Sequence, residues 1–341
     1  MLARSGLDIA SVLEFAEAFR LNTTNVIAEY ISLCCCSPRV DAYQPRVLAV
    51  VDEVGNSKLL ERIFINALDN AISAYDYDRL SFVVQRLLLL NPHNATLERR
   101  AAVLDVLCAY DRRSLPTIEE LRSESTRTRA AREALQVAYS DSGKDIAAVE
   151  NDESLSDLLD AMPLAARHLS FHALVGSAPW TVLLPELGPE TIDLLLPLAQ
   201  PLELSEDDFY MHAIKAMLRQ WNESSDATTA PDLHEAVLNK NHTRFDAIQP
   251  LIRCFKNLEA AVSILQYAAE SFPCGPDRVA ALKMGIKLLR KWGQLIKRMP
   301  DSERQQIMAK AETIYMYFEK SYADAATEIT LRKYRLEKYL P

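Results

Sequence analysis

Residues 7 to 36 read LDIASVLEFAEAFRLNTTNVIAEYISLCCC, and the spacing of the apolar side chains in this stretch decides the class of fold. Ahead of the polar run Asn22-Thr23-Thr24-Asn25 they fall at Ile9, Val12, Leu13, Ala16 and Phe19; behind it they fall at Ile27, Tyr30, Ile31, Cys34 and Cys35. Steps of three and four residues put each set on one helical face. The Asn/Thr run supplies a stop and N-cap oxygens for the next helix, so the stretch is an αα-hairpin. The closing cysteines follow from the same geometry. Cys34 and Cys35 continue the stripe of Ile27 and Ile31, where a small, soft side chain packs well, whereas Cys36 points about 100° further round. Adjacent helical residues cannot converge on one tetrahedral ion, and no C-x-x-C or nearby histidine completes a zinc set. The triplet therefore reads as packing, not as metal or redox chemistry.

Composition points the same way. The 341 residues carry 8 glycines, where average usage of ~7% would give about 24, and folds rich in strands or nucleotide-binding loops use glycine in their turns. Period-two alternation is scarce; RVLAVVDEV at 46–54 is the one strand-like run, and its isolation argues for a helix. The formal net charge of −9 gives no global attraction for nucleic acid or an anionic bilayer. Six cysteines, three of them contiguous, do not make a disulfide framework. The start, MLARSGLDIASVLEF, lacks the apolar core of a signal peptide, so the N-x-S/T sequons at Asn22, Asn94, Asn222 and Asn241 carry no weight and a cytosolic or nuclear compartment is expected. The longest apolar run, DLLLPLAQPLEL, is too short and too proline-broken to cross a bilayer.

Further along, a second hairpin is clearer than the first. After Gly55-Asn56 the residues Leu60, Ile63, Phe64, Ala67, Leu68 and Ala71 share a face; after a polar junction Leu80, Val83, Val84, Leu87 and Leu88 do so until Asn91-Pro92. A helix is expected from about Ala95 to Tyr110. Another is opened by Pro116, carries Glu119 and Glu120 in its first turn and runs to about Tyr139. Residues 141–157 are polar and mostly acidic, a linker or loop between N-terminal helical repeats (1–140) and C-terminal helical repeats (158–341). Prolines cut 176–205 into short helices, and 222–232 reads as a surface loop. Helices resume at LHEAVLNK, RFDAIQPLIRCF and LEAAVSILQYAAESF, and 276–340 reads as three helices separated at Pro300 and near Asp324. The expected fold is all-α, an irregular α-solenoid of antiparallel helix pairs. Its first helix has an apolar face with no polar capping repeat before it, which is expected of part of a longer array.

No motif specifies a reaction. There is no G-x-x-x-x-G-K-[ST] or G-x-G-x-x-G phosphate loop and no G-x-S-x-G elbow. His168 and His172 stand four apart, as a two-histidine site on a helix requires, but no third ligand follows; HEAVL at 234–238 lacks the second histidine of a zinc-protease helix. Acid pairs such as Asp207-Asp208 fall at helix starts, where the macrodipole favours them. No catalytic residue, cofactor or metal is expected. The stretch with functional content is ALKMGIKLLRKWGQLIKRM at 281–299. Lys283, Lys287, Arg290 and Lys291 form one basic stripe, Lys297 and Arg298 extend it, and Leu282, Ile286, Leu289, Gly293 and Ile296 fall on another face. On a packed helix this is a solvated face; as a functional surface it docks an acidic partner, with acidic phospholipid the lesser option. LRSESTRTRAARE at 121–133 reads as a solvated helix, with phosphorylation as its functional option.

The hairpin SKLLERIFINALDNAISAYDYDRLSFVVQRLLLL at 57–90, with LDIASVLEFAEAFRLNTTNVIAEYI before it and AYDYDRLSFV at its junction, resembles the C-terminal region of Rod-type kinetochore subunits. These are large scaffolds of the Rod–Zwilch–Zeste-white-ten complex. The resemblance implies a non-enzymatic helical scaffold segment for protein-protein assembly in the outer kinetochore, serving the spindle checkpoint and dynein recruitment in mitosis. It further implies Zeste-white-ten-like and Zwilch-like protein subunits as partners, no nucleic acid, and a cytoplasmic and kinetochore location. No catalytic residues transfer. Rod-like proteins resemble coatomer-type scaffolds as well, so a vesicle-tethering subunit at the endoplasmic reticulum surface is the alternative, and an all-α enzyme without a recognisable motif the second.

Overall fold

A computed structural model of the protein describes residues 9–36, 43–51, 54, 56–116, 120–121, 164–226, 243–298 and 300–333. Every regular element among them is helical. Most of the helix expected after Pro116, the stretch 122–133, the connection at 141–157 and LHEAVLNK lie outside the described residues. The chain groups into two compact units, one of residues 1–186 with 200–203 and the other of 187–199 with 204–341.

In the first unit, α1 (Ile9–Ala18) and α2 (Thr23–Cys36) form the hairpin that the apolar spacing dictates. α1 stops ahead of the polar run. Arg20 takes a left-handed backbone, φ 54°, and the N–H groups of Leu21 and Arg20 turn back to the carbonyls of Ala16 (2.8 Å) and Glu17 (3.1 Å). This is a Schellman closure made without its usual glycine. Asn22 then starts α2, its Oδ1 accepting from the Asn25 N–H at 3.3 Å. Cys34 and Cys35 are buried with Ile27, Tyr30 and Ile31; the Cys36 side chain is not among those described. Burial pushes the Cys34 thiol up against a lowering hydrogen bond from Tyr30, which suits a packed hydrophobe and not a nucleophile.

The strand-like run is helical: α3 (Tyr43–Val51) buries Val47 and Val50. α4 (Ser57–Asn66), α5 (Tyr77–Leu90) and α6 (Ala95–Cys108) each open on a side-chain cap, where Asn56, Asp76 and Asn94 accept from the N–H groups of Leu59, Arg79 and Thr96. After α4 the helix widens into a π turn, Ala67–Ala71, that packs on α2 and α5. α7 (Phe171–Val175) and α8 (Trp180–Leu183) complete the unit, the latter running into a 3-10 turn, Leu184–Glu186.

Two buried arginines hold these helices from inside. Arg79 pairs with Asp76 at 3.0 Å and lies 4.6 Å from the centre of the Tyr43 ring. Its Nη1 donates to the last carbonyls of α2, Cys34 at 3.5 Å and Cys35 at 3.4 Å. One planar cation thus joins α2, α3 and α5 and answers the negative end of the α2 dipole. Arg112, with 1% of its side chain exposed, pairs with Glu120 at 2.8 Å and lies 3.8 Å from Glu186. Its guanidinium also donates to the carbonyls of Ser114 (3.0 Å), Ala165 (3.2 Å), Leu115 (3.3 Å) and His168 (3.5 Å). Glu186 in turn accepts from the Tyr110 hydroxyl (2.6 Å) and the N–H groups of Ser114 (2.8 Å) and Arg113 (2.9 Å). Burial raises the Glu186 carboxyl, yet the hydrogen bonds from Ser114, Tyr110 and Arg113 outweigh it and hold the group below its usual range.

This network holds 168–170 out of a helix, although His168 and His172 have helical spacing. Leu169 and Ser170 are not helical, so His168 and His172 share no face. The carbonyls of Ala165 and His168 go to Arg112 and that of Leu169 accepts from Tyr77 Oη at 2.6 Å, leaving none of these acceptors committed to a helical ladder. The His168 ring packs on Tyr77, centroids 4.5 Å apart, and His172 Nε2 lies 3.4 Å from the Ile72 carbonyl oxygen.

Burial lowers the His168 pKa, with Arg167 adding to the shift and Asp111 opposing it. The unfolded chain therefore takes up a proton near pH ~6.5 that the folded chain refuses until a lower pH. The contribution of His168 to stability is intact at pH 7.5 and is lost as pH falls through that window. Urea unfolding at pH 7.5 and 5.5 is expected to show a smaller pH dependence for His168→Gln than for the natural protein; an equal dependence rejects the assignment.

In the second unit, α9 (Ile192–Leu195), continued by a 3-10 turn at Leu196–Leu198, precedes α10 (Glu206–Asp226). Asp207 at the start of α10 does more than favour the helix dipole. It is buried and accepts from the N–H groups of Lys256 (2.9 Å) and Asn257 (2.8 Å), so it ties down the turn that leads into α12. α10 continues to Asp226, through part of the loop expected at 222–232. Trp221 stacks on Phe272 with centroids 6.5 Å apart and anchors these late turns. α11 (Thr243–Arg253), α12 (Leu258–Ser271), α13 (Pro276–Ile296) and α14 (Asp301–Lys333) follow. The break expected near Asp324 is absent. Ala311, Phe318 and Ala325 recur every seven residues as a buried edge of α14, so packing carries the helix past an exposed aspartate. Short connections make α12, α13 and α14 alternate in direction, and α14 reaches back to α12 through Tyr317 Oη to Glu270 (2.8 Å) and through the Lys310–Glu259 pair.

Candidate docking surface on the basic helix

Pro276 stands in the first turn of α13, where its missing N–H costs nothing. Asp277 beside it accepts from the Phe245 N–H at 3.0 Å and links the helix start to α11. Ala281, Leu282, Gly285, Leu289, Trp292 and Ile296 form the buried face, which packs on α12 and α14. This corrects the expected apolar face at two positions: Ile286 and Gly293 are half-buried, and Gly285 and Trp292 take the inner places. Gly285 shows why. A Cβ there would sit 2.1 Å from Phe318 Cε1, so the bare backbone admits α14 and sets the rotation of α13 about its axis. At Gly293 a Cβ would meet nothing within 4 Å.

All six basic side chains named from the sequence are exposed: Lys283, Lys287, Arg290, Lys291, Lys297 and Arg298. Their spacing puts them on one face, opposite the buried one, along about 22 Å of helix at 1.5 Å per residue. Among the described residues none of the six belongs to an ion pair. Arg290 is steadied by the Tyr315 hydroxyl at 3.3 Å and feels the Glu319 carboxylate more weakly. Three further acids of α12 and α14 are engaged elsewhere: Glu259 with Lys310, Glu270 with Tyr317, and Glu328 with Arg332 at 2.5 Å. The row offers Coulomb attraction and ammonium or guanidinium donors for carboxylates or phosphates.

Among the described residues no group of three or more His, Cys, Asp or Glu side chains could hold a metal ion, and no helix is long and apolar enough to cross a membrane. Sequence reading missed Arg79, Arg112 and Glu186. A faint signal existed in Glu186, an acid set between prolines in an apolar stretch.

Helices that bury one face on their neighbours and present the other as a patterned charged surface define a helical scaffold segment. The chain belongs to the family described as the Rough deal protein C-terminal region, whose model matches residues 159–340. That family is structural and not enzymatic. The chain is similar to the human kinetochore-associated protein 1, with 26% identity over 184 residues, covering 52% of this chain and 8% of that protein. It thus spans less than a tenth of the length of that relative. No solved structure matches it. The family is the one that the N-terminal hairpins resemble, but the matched residues begin beyond both of them.

Proposed function

We propose that the chain is a scaffold segment for protein-protein assembly at the kinetochore, its helix pairs stacked as an irregular solenoid, with the basic face of α13 as a partner contact. One observation carries the reading: the span matched by the Rough deal C-terminal family includes the whole of α13 and its exposed cationic row. In its finer form the segment works with Zeste-white-ten-like and Zwilch-like subunits, in the cytoplasm and at kinetochores, in checkpoint signalling and dynein recruitment. The name of the human relative supports the kinetochore; nothing in the comparisons favours a vesicle tether at the endoplasmic reticulum or an enzyme.

The test is the position of the tagged protein through mitosis. Kinetochore signal is expected, and signal confined to the reticulum overturns the proposal. Changing Lys283, Lys287 and Arg290 together to Glu is expected to slow association with co-purifying subunits by about tenfold or more at low salt, because exposed charges steer encounter and are screened as salt rises. The thermal midpoint should stay unchanged, since none of the three is buried. Equal association rates at low salt would show that the row is only solvated.

A further inference from the structure

We infer that the partner seated on α13 is an acidic amphipathic helix that crosses it at Gly293, an inference that rests on the docking role proposed for the basic face. Glycine inside a helix is destabilising relative to alanine, and it is kept where a backbone must be approached closely. The two glycines of α13 differ in this respect. Gly285 is explained within the chain, because Phe318 fills the place of its side chain. Gly293 has open space where its side chain would be. It stands three residues after Arg290 and four before Lys297, and two helical turns after the half-buried Ile286. A bare piece of backbone with an apolar neighbour therefore borders the cationic row.

Charge complementarity makes the occupant acidic, and the spacing makes it helical. Cations recur once per turn from Lys283 to Lys287 and to Arg290 and Lys291, and return two turns later at Lys297 and Arg298. A helix lying alongside repeats its carboxylates at the same ~5.4 Å pitch, whereas an extended strand repeats a face every ~6.8 Å and loses register over about 22 Å. A long polyanion such as nucleic acid would meet a chain of net charge −9 beyond the row. A bilayer would need several apolar residues to insert, and on α13 Leu282, Leu289, Trp292 and Ile296 are buried, which leaves Leu295 as the exposed large hydrophobic.

The experiment measures fluorescence anisotropy of the full chain with a synthetic helical peptide of Glu, Ala and Leu, its glutamates one per turn along one side and its leucines flanking them. Comparators are an isomer of the same composition made non-helical by D-residues, a single-stranded oligonucleotide, and phosphatidylserine vesicles. The helical peptide is expected to bind about tenfold or more tightly than its isomer, a gap of one decade in Kd. Gly293→Leu is expected to weaken binding about tenfold by blocking close approach, with no fall in the thermal midpoint because the position is open. Gly293→Ala should raise that midpoint. If Gly293→Leu binds like the natural chain while the Lys283, Lys287 and Arg290 reversal loses binding, the crossing at Gly293 is wrong and the docking role stands. If the reversal also leaves binding unchanged, the docking role fails with it. Equal binding of the two peptides, no binding of either, preference for the oligonucleotide or vesicles, or a sharply lowered midpoint in Gly293→Leu each overturns the helical partner.

Discussion

Arg112→Met is expected to lower the stability of the first unit by about 3–5 kcal/mol, because it removes one partner of a buried charge and leaves the other in place. Glu186 is 3% exposed, and its three hydrogen bonds to Tyr110, Arg113 and Ser114 keep it ionised. Without the guanidinium the Glu186 charge loses the buried cation 3.8 Å from it, and the carbonyls of Ala165 and His168 lose a donor as well. Arg112→Lys should recover little, since a compact ammonium cannot replace the forked donors that reach Glu120 and the carbonyls of Ser114, Leu115, Ala165 and His168. Arg112→Met with Glu186→Leu should recover part of the loss, because two apolar side chains leave no buried charge behind. Urea unfolding followed by circular dichroism reads all three. A loss below ~1 kcal/mol for Arg112→Met is what an ordinary surface pair gives, and would mean that the network does not hold the unit together.

Gly285→Ala is expected to destabilise the second unit by about 1–3 kcal/mol, the cost of forcing extra volume into a packed core. The direction is informative, since alanine is ordinarily the better helix former and a solvated site would gain stability. The added methyl would overlap the Phe318 ring, which is fully buried. Phe318→Leu removes the obstructing ring edge, so the double variant should lose less than the sum of the single losses, a positive coupling of contacting residues. Gly293→Ala is the internal control and has the opposite expected sign. Thermal unfolding of the three variants decides; a stabilising Gly285→Ala would mean that α14 does not press on α13 at this point.

Much of the local structure is legible from residue spacing. The three-and-four steps locate α1, α2, α4 and α5, and Asn56, Asp76 and Asn94 cap where short polar side chains precede an apolar series. The cationic row is equally legible, because six basic residues with no acid among them leave a helix face only one composition. Where spacing and structure part, the cause is shared. His168 and His172 have helical spacing, yet the carbonyls around them bond to Arg112 and Tyr77, residues distant in the chain. Asp324 looks like a break until Phe318 and Ala325 are seen to share a buried edge.

What the sequence by itself determined is therefore the set of helices, their apolar and charged faces and the location of the basic row, since each depends on side chains within a turn or two of one another. The tertiary structure alone decided which arginines are interior, which of two α13 glycines is filled and which merely open, and how far the helix that ends at Asp226 runs. Those outcomes depend on groups brought together from distant parts of the chain. A buried arginine and a solvated one read alike in sequence, and only the acceptors that folding places around the guanidinium distinguish them.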